Sequence, residues 1–390
     1  MIDFTFCNPT KIIFGKTSLE QLGNEVSRYG RKVLLVYGGG SIKRSGLYDR
    51  VMKILGGVGA EVWELGGVKP NPRLGPVYEG IKTCREKDIS LVLAVGGGSA
   101  IDTAKAVANG ARYDGDVWDL FTGKGRNTEA LPVGTVVTIP AAGSEMSDSS
   151  VITREEDQCK RGRNTPLNFP KFSILNPELT YTLPPFQTAC GCVDIMAHIM
   201  ERYFTRVDHV ELTDRMAEGA LKTVIHNAAI AMREPDNYDA RAEIMWAGCL
   251  AHNTLFQTGR VGDWASHKLE HELSALYDIA HGAGLAVVFP AWMKYALPRG
   301  GAGKLAQFAV RVFDVPEKPG DEAAVALEGI QKLEAFYRSL GLVTTLHECG
   351  IGDKDFARMA ERCAAMMGGT VGTFAPLKAS DCVEVYKLAL

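Results

Sequence analysis

Through the first half of the chain, short apolar runs that end in glycine alternate with amphipathic stretches. Residues 32–37, 61–65, 91–95, 135–140 and 172–175 read as strands. Residues 78–87 and 100–109 read as helices between them. This alternation predicts a mostly parallel sheet covered on both faces. After Leu183-Pro184-Pro185 the β-branched runs thin out. Residues 186–204, 212–232, 241–256, 304–313, 322–340 and 355–367 carry a helical period instead. Proline suits the first turn of a helix, so the pair marks both a helix entrance and a boundary. The expected organisation is an α/β domain over residues 1–183 and an all-helical domain over 184–390, with no internal repeat.

Composition narrows the class without naming a chemistry. With 390 residues, 46% hydrophobic and 23% charged, the chain has the make-up of a globular protein large enough for two cores. A formal net charge of -3 gives no electrostatic ground for a nucleic-acid or membrane partner. No apolar run approaches the ~18 residues that span a bilayer. The start of the chain, Met1 to Phe6, lacks the basic and apolar blocks of a signal peptide. The nine cysteines are odd in number and show no zinc-ribbon spacing, so reduced thiols and a cytoplasmic location are expected.

Two of the predicted strands end in Gly-Gly-Gly-Ser, at residues 38–41 and 96–99, each followed by a helical pattern. Glycine lets a backbone come close to a pyrophosphate, and the following helix start offers free N–H groups. Neither loop is the Gly-x-Gly-x-x-Gly of the usual dinucleotide unit, so a variant Rossmann-like site is expected. The first loop has no acid to greet a ribose 2′-hydroxyl, but holds Ser41, Lys43 and Arg44. NADP(H) is therefore expected over NAD(H).

The helical half carries a second chemistry. Asp194 and His198 stand four apart and share a helix face, as do His267 and His271, with His281 ten residues further on. One carboxylate and several imidazoles suit a single Fe(II), Zn(II) or Mn(II) ion better than a thiolate-loving site. The stretch His271-Glu272-Leu273-Ser274-Ala275 begins like a metalloprotease helix, but alanine replaces the second histidine.

These residues together resemble the iron-containing (group III) alcohol dehydrogenases, and especially their butanol-dehydrogenase-like branch. The likeness runs from residues 6–15 and 37–41 through Lys69-Pro70-Asn71-Pro72, 96–102, 182–185 and Val193-Asp194 to 264–271 and 281–286. The resemblance implies a dehydroquinate-synthase-like architecture, with a nicotinamide cofactor on the N-terminal domain and a metal on the C-terminal one. It implies Asp194, His198, His267 and His281 as ligands, with His271 beside the nicotinamide as the catalytic proton relay. It places the pyrophosphate on Gly97, Gly98 and Ser99 near Asp102, and the adenosine side on Gly39, Gly40 and Ser41. Asn71, Thr138, Lys160 and Leu183 would line the cofactor groove. Two positions depart from the family pattern: Ala142 stands where a hydroxyl is usual, and Ser147 where asparagine is common. Ser147 and Trp264 are expected to shape the substrate pocket.

The implied reaction is hydride transfer between a nicotinamide and a small alcohol or aldehyde whose oxygen the metal polarises. A homodimer is the default assembly, with the segment 4–14 as a candidate pairing strand. The runners-up are a glycerol-dehydrogenase-like polyol oxidoreductase, a dehydroquinate-synthase-like lyase and a non-catalytic metal-binding protein. The lyase would need cations for an acidic phosphorylated substrate. Around the metal motifs the chain offers mainly Trp264, Leu269, Leu273, Leu276 and Tyr277, with Lys268 close by.

Overall fold

The computed structural model describes residues 1–390, which divide by contact into two units. One is formed by Cys7–Leu183 and Pro235–Asn253, the other by Met1–Phe6, Pro184–Glu234 and Thr254–Leu390.

The first unit is built on a six-stranded parallel sheet. In chain order its elements are β1 (Lys11–Phe14), α1 (Leu22–Ser27), β2 (Lys32–Gly38), α2 (Ser41–Arg44), α3 (Leu47–Gly57), β3 (Glu61–Val68), α4 (Leu74–Lys87), β4 (Leu91–Gly96), α5 (Gly98–Ala111), α6 (Val117–Thr122), β5 (Val133–Val137), β6 (Ser149–Arg154), β7 (Cys159–Asn164) and β8 (Phe172–Leu175). The sheet order is β1-β8-β5-β4-β2-β3, while β6 and β7 form a separate antiparallel hairpin. Both faces are covered, which is why the central strands read as unbroken apolar runs. Val33, Leu35, Leu91, Leu93 and Val95 point to one face, where they pack with Leu22, Val26, Val51 and Leu55 of α1 and α3. Leu34, Val36, Val92 and Ala94 are equally buried, on the side that strand alternation makes the other face.

The second unit is helical: α7 (Pro185–Tyr203), α8 (Glu211–Arg233), α10 (Ala265–Tyr277), α11 (His281–Ala296), α12 (Ala302–Phe313), α13 (Glu322–Ser339), α14 (Phe356–Met366) and α15 (Ala379–Leu388). Its core centres on Phe204, Phe289, Trp292, Phe308 and Phe374, whose ring centroids lie 5.4–6.2 Å apart in successive pairs.

Chain and unit part company at α9 (Tyr238–His252). Sequence order puts this helix in the all-helical half, but it packs on the α/β unit. The reason lies in its side chains. Cys249 Sγ donates to Glu145 Oε1 at 3.2 Å, His252 Nδ1 bonds the Ala142 carbonyl at 2.7 Å, and Trp246 meets Phe14 edge-on. The predicted strand over 135–140 also shifts, to Val133–Val137. Thr138 leaves the ladder with its N–H bonded to Gly96 O at 3.0 Å.

Candidate metal centre and nucleotide loops

Three helices bring the candidate metal-ligating side chains together. On α7, Asp194, His198 and Glu201 are spaced four and three apart, so all three occupy one buried face. On α10, His267, Glu270 and His271 repeat that device. His281 is the first residue of α11. The glycines behind it set the docking. A Cβ at position 282 would lie 2.1 Å from the Cys190 carbonyl oxygen on α7, and one at 284 would lie 2.7 Å from Glu270 Oε1. Gly282 and Gly284 therefore let α11 settle against both other helices.

Asp194, His267 and His281 converge, each offering one donor atom within 4.8 Å of the others. Asp194 Oδ1 is 3.8 Å from His267 Nε2 and 3.7 Å from His281 Nε2. Donors about 2.1 Å from a tetrahedral ion lie about 3.4 Å apart, so small side-chain movements would close this set on a metal. Asp194 Oδ1 and His267 Nε2 are buried without a well-formed hydrogen bond, Asp194 Oδ1 having His198 Nδ1 at 3.1 Å beside it; an ion would supply a partner to both. His198 lies against this group without completing it. Its ring centroid is 4.5 Å from that of His267, and its Nδ1 bonds the Asp194 carbonyl at 2.9 Å. Burial pushes the His198 imidazole down to about 4, so it is neutral at pH 7. Burial acts against ionisation of Asp194, yet His198 and His281 outweigh it and hold the carboxyl well below its usual range.

Two carboxylates that the sequence reading passed over orient the histidines. Glu201 Oε1 accepts from His267 Nδ1 at 2.8 Å and from the His267 N–H at 2.9 Å, while Oε2 accepts the Trp264 N–H at 2.6 Å. Glu270 accepts from His281 Nδ1 and from the Ser274 hydroxyl. Each histidine thus spends Nδ1–H on a carboxylate and presents Nε2 to the ligand group. Glu201 also starts α10, because the N–H groups it accepts have no partner within the helix. It holds Trp264 in the left-handed region at φ 67. The signal in the sequence was its position, one helical turn past His198 on the Asp194 face.

His271 is buried, its ring centroid 5.5 Å from that of His281. The Trp264 ring stands edge-on to His267 and His198, at 5.3 and 6.0 Å, and carries the Arg202 guanidinium at 4.5 Å on its face. It therefore packs beside the His198 and His267 rings.

In the α/β unit, β2 connects outward to β3 while β4 connects to β5 on the opposite side. The crevice between β2 and β4 is thus the point where strand order reverses, where open α/β sheets bind ligands. Val36 pairs with Ala94 and Tyr37 with Val95, so Gly38-Gly39-Gly40-Ser41 and Gly96-Gly97-Gly98-Ser99 flank that crevice at one level. Gly40 sits at φ 101, open to few residues but glycine. A Cβ at Gly97 would be 2.9 Å from Ile139 Cβ, and one at Gly98 would be 3.1 Å from Ala142 Cβ. The chain after β5 lies that close over the loop. Ser99 follows in the first turn of α5, where its carbonyl accepts from Thr103 Oγ1 at 2.8 Å.

Of the other expected cofactor residues, Asn71 and Lys160 meet, Oδ1 to Nζ, at 3.0 Å. Leu183 ends the first of the two chain segments that form the α/β unit. Asp102 and Ser147 take part in a buried polar node. Asp102 accepts from Ser144 Oγ at 2.6 Å and from the Val151 N–H at 2.9 Å. Lys105 Nζ donates to the carbonyls of Ser144, Ser147 and Ser149 at 2.6, 3.0 and 2.8 Å. Ser147 is fully buried, and its hydroxyl accepts from the Ser149 N–H at 3.3 Å. The structure thus gives Asp102 and Ser147 the task of fixing the strand that follows Gly143. Near the first loop an acid does appear, from β3. Glu64 accepts from Tyr37 and Tyr48 hydroxyls at 2.6 and 2.7 Å, and Lys43 lies 4.0 Å from it over the Tyr48 ring.

Both halves of the chain resemble known proteins. Residues 9–177 match the family described as iron-containing alcohol dehydrogenase, and residues 188–390 match the C-terminal part of the Fe-containing alcohol dehydrogenase family. The chain is 48% identical over 390 residues to a probable NADH-dependent butanol dehydrogenase of Bacillus subtilis, covering 100% of both. It is 38% identical over 355 residues to the NADPH-dependent aldehyde reductase YqhD of Escherichia coli, covering 90% of each. The crystal structure of an NADH-dependent butanol dehydrogenase A from Thermotoga maritima superposes with a TM-score of 0.96 at 41% identity, covering 100% of this chain and 99% of that one. With both halves matched and the helical unit offering a buried carboxylate–histidine group, this chain belongs to the iron-containing alcohol dehydrogenase family.

Proposed function

We propose that the chain is a metal-dependent NAD(P)H alcohol dehydrogenase and aldehyde reductase, interconverting primary alcohols such as butanol with their aldehydes. The observation that carries this reading is the buried group of Asp194, His267 and His281, two of whose donor atoms are buried without a well-formed hydrogen bond. Asp194, His198, His267 and His281 would hold one divalent ion, Fe(II) first and Zn(II) or Mn(II) next, which supplies a Lewis acid for the alcohol or aldehyde oxygen. Gly97, Gly98 and Ser99 would take the cofactor pyrophosphate, with Gly39, Gly40 and Ser41 on the adenosine side and Asn71, Thr138, Lys160 and Leu183 along the groove. The nicotinamide supplies or accepts the hydride. His271 would pass the proton that the substrate oxygen gains or loses, and Trp264 would shield the ligands from water.

A spectrophotometric assay at the nicotinamide band tests this reading. Butyraldehyde should consume the reduced cofactor, and prior removal of metal with a chelator should stop the reaction. Turnover that survives complete metal removal would reject it, as would activity confined to glycerol.

Cofactor choice turns on one cation. The acid-free first loop with Lys43 and Arg44 supports NADPH over NADH. Glu64, which engages Lys43, supports the reverse, and both cofactors appear in the names of relatives. Dissociation constants decide between them. NADPH tighter by about tenfold or more, the worth of one good ion pair, means that Lys43 leaves Glu64 for a 2′-phosphate; NADH tighter means that Glu64 keeps it.

A cytoplasmic homodimer completes the proposal. All nine cysteines are free thiols, no helix is long and apolar enough to cross a membrane, and β1 is an edge strand with β8 as its sole sheet neighbour.

A further inference from the structure

Glu270 is a fully buried carboxylate that no part of the proposed reaction uses directly. It stands on α10 three residues after His267, but its partner is on another helix: it accepts the Nδ1–H of His281 at the start of α11, and the Ser274 hydroxyl one turn further along α10. Two features show that the site is built around it. A Cβ at position 284 would come within 2.7 Å of Glu270 Oε1 and 2.8 Å of its Cγ, so the carboxylate occupies the space that Gly284 leaves open. His281 is also the ligand with least packing to hold it, its side chain 23% exposed against 5–6% for Asp194 and His267.

We propose that Glu270 is the positioning residue of the metal centre, holding His281 in the tautomer and orientation that aim Nε2 at Asp194, and that Gly284 is glycine to admit it. A neutral imidazole without this bond distributes its proton over both nitrogens and turns about its χ angles. Each makes it a poorer donor. A carboxylate on the remote nitrogen also raises the basicity of the ligating one. Glu201 holds His267 from α7 in the same manner but also starts a helix, so its loss would confound ligand orientation with folding. Glu270 separates the two. This inference rests on the reading of Asp194, His267 and His281 as a metal site.

The test uses the full-length protein stripped of metal and titrated with Co(II) against a competing chelator, with the visible spectrum of the bound ion as second readout. Wild type should bind one Co(II) per chain. Glu270→Gln, whose carboxamide oxygen can still accept from Nδ1, should bind about tenfold more weakly, and Glu270→Ala about a hundredfold more weakly with a changed spectrum. Both metal-free variants should keep the wild-type circular dichroism. Wild-type affinity and spectrum in both variants would overturn the proposal. So would a fall in metal-free stability with the Co(II) spectrum and affinity unchanged. If Glu270→Ala does not fold, Glu270→Gln decides by the same criteria. Failure of wild type itself to bind Co(II) would overturn the metal reading as well, which keeps the two failures apart.

Discussion

Replacing His267 with alanine is expected to abolish both metal retention and alcohol oxidation. His267 Nε2 is buried without a well-formed hydrogen bond, and its nearest polar neighbour there is Asp194 Oδ1 at 3.8 Å, so the two face the place an ion would take. Its removal leaves one carboxylate and one imidazole of the converging group. Losing the Lewis acid forfeits several kcal/mol of transition-state stabilisation, about a thousandfold or more in rate. The fold should survive, because Glu201 still accepts the backbone N–H groups of Trp264 and residue 267 that start α10. Elemental analysis of the purified variant and a butanol oxidation assay check both halves of the expectation. Full activity in a metal-free preparation of His267→Ala would sink the assignment.

The second large effect is expected from a single methyl group. Gly282→Ala places a Cβ 2.1 Å from the Cys190 carbonyl oxygen and 2.7 Å from Cys190 Cα. Both are backbone atoms of α7 and have no rotamer with which to yield. The start of α11 must therefore move away, and His281 with it. Overpacking of this kind costs about 1–3 kcal/mol, read as a lower denaturant midpoint, and metal content should fall in parallel. Gly303→Ala is the control. Position 303 also lies in a helix, but its added Cβ meets nothing within 4 Å, so stability should stay level or rise slightly. Equal stability and metal content in Gly282→Ala and wild type would refute this account of the His281-Gly282-Ala283-Gly284 stretch.

What the sequence disclosed about the site followed from how rare its residue types are. Eight histidines in 390 residues make three within fifteen positions conspicuous. A carboxylate and an imidazole at helical spacing add a shared face. Glu201 and Glu270 escaped notice because glutamate is an ordinary surface residue of helices, and only the tertiary fold turns these two inward. The two glycine loops were legible as loops. Their placement on either side of one crevice depended on strand order, which periodicity does not encode.

Similar reasons account for what was missed in the fold. The central strands are apolar on both faces and declare themselves, whereas β7 reads Cys-Lys-Arg-Gly-Arg-Asn and owes its extended form to pairing with β6. The expectation of Ser147 at the substrate pocket rests only on asparagine being common there in the family that the chain resembles. Burial beside Lys105 is a property of the node, visible only once α5 and the strand after Gly143 are brought together.

The position of α9 bears on how the protein is made. A nascent chain that has just emerged through Leu183 contains the whole six-stranded sheet but not the helix that supplies Cys249 and His252 to Glu145 and the Ala142 carbonyl. Until about seventy more residues leave the ribosome, at roughly 5–20 per second, that loop waits for its partners. Meanwhile α7 has appeared, bearing Asp194, His198 and Glu201 ahead of His267 and His281, and α8 has followed it. Maturation of the first unit is thus timed by synthesis of the second. A gene cut at Leu183 would not deliver a finished nucleotide-binding module.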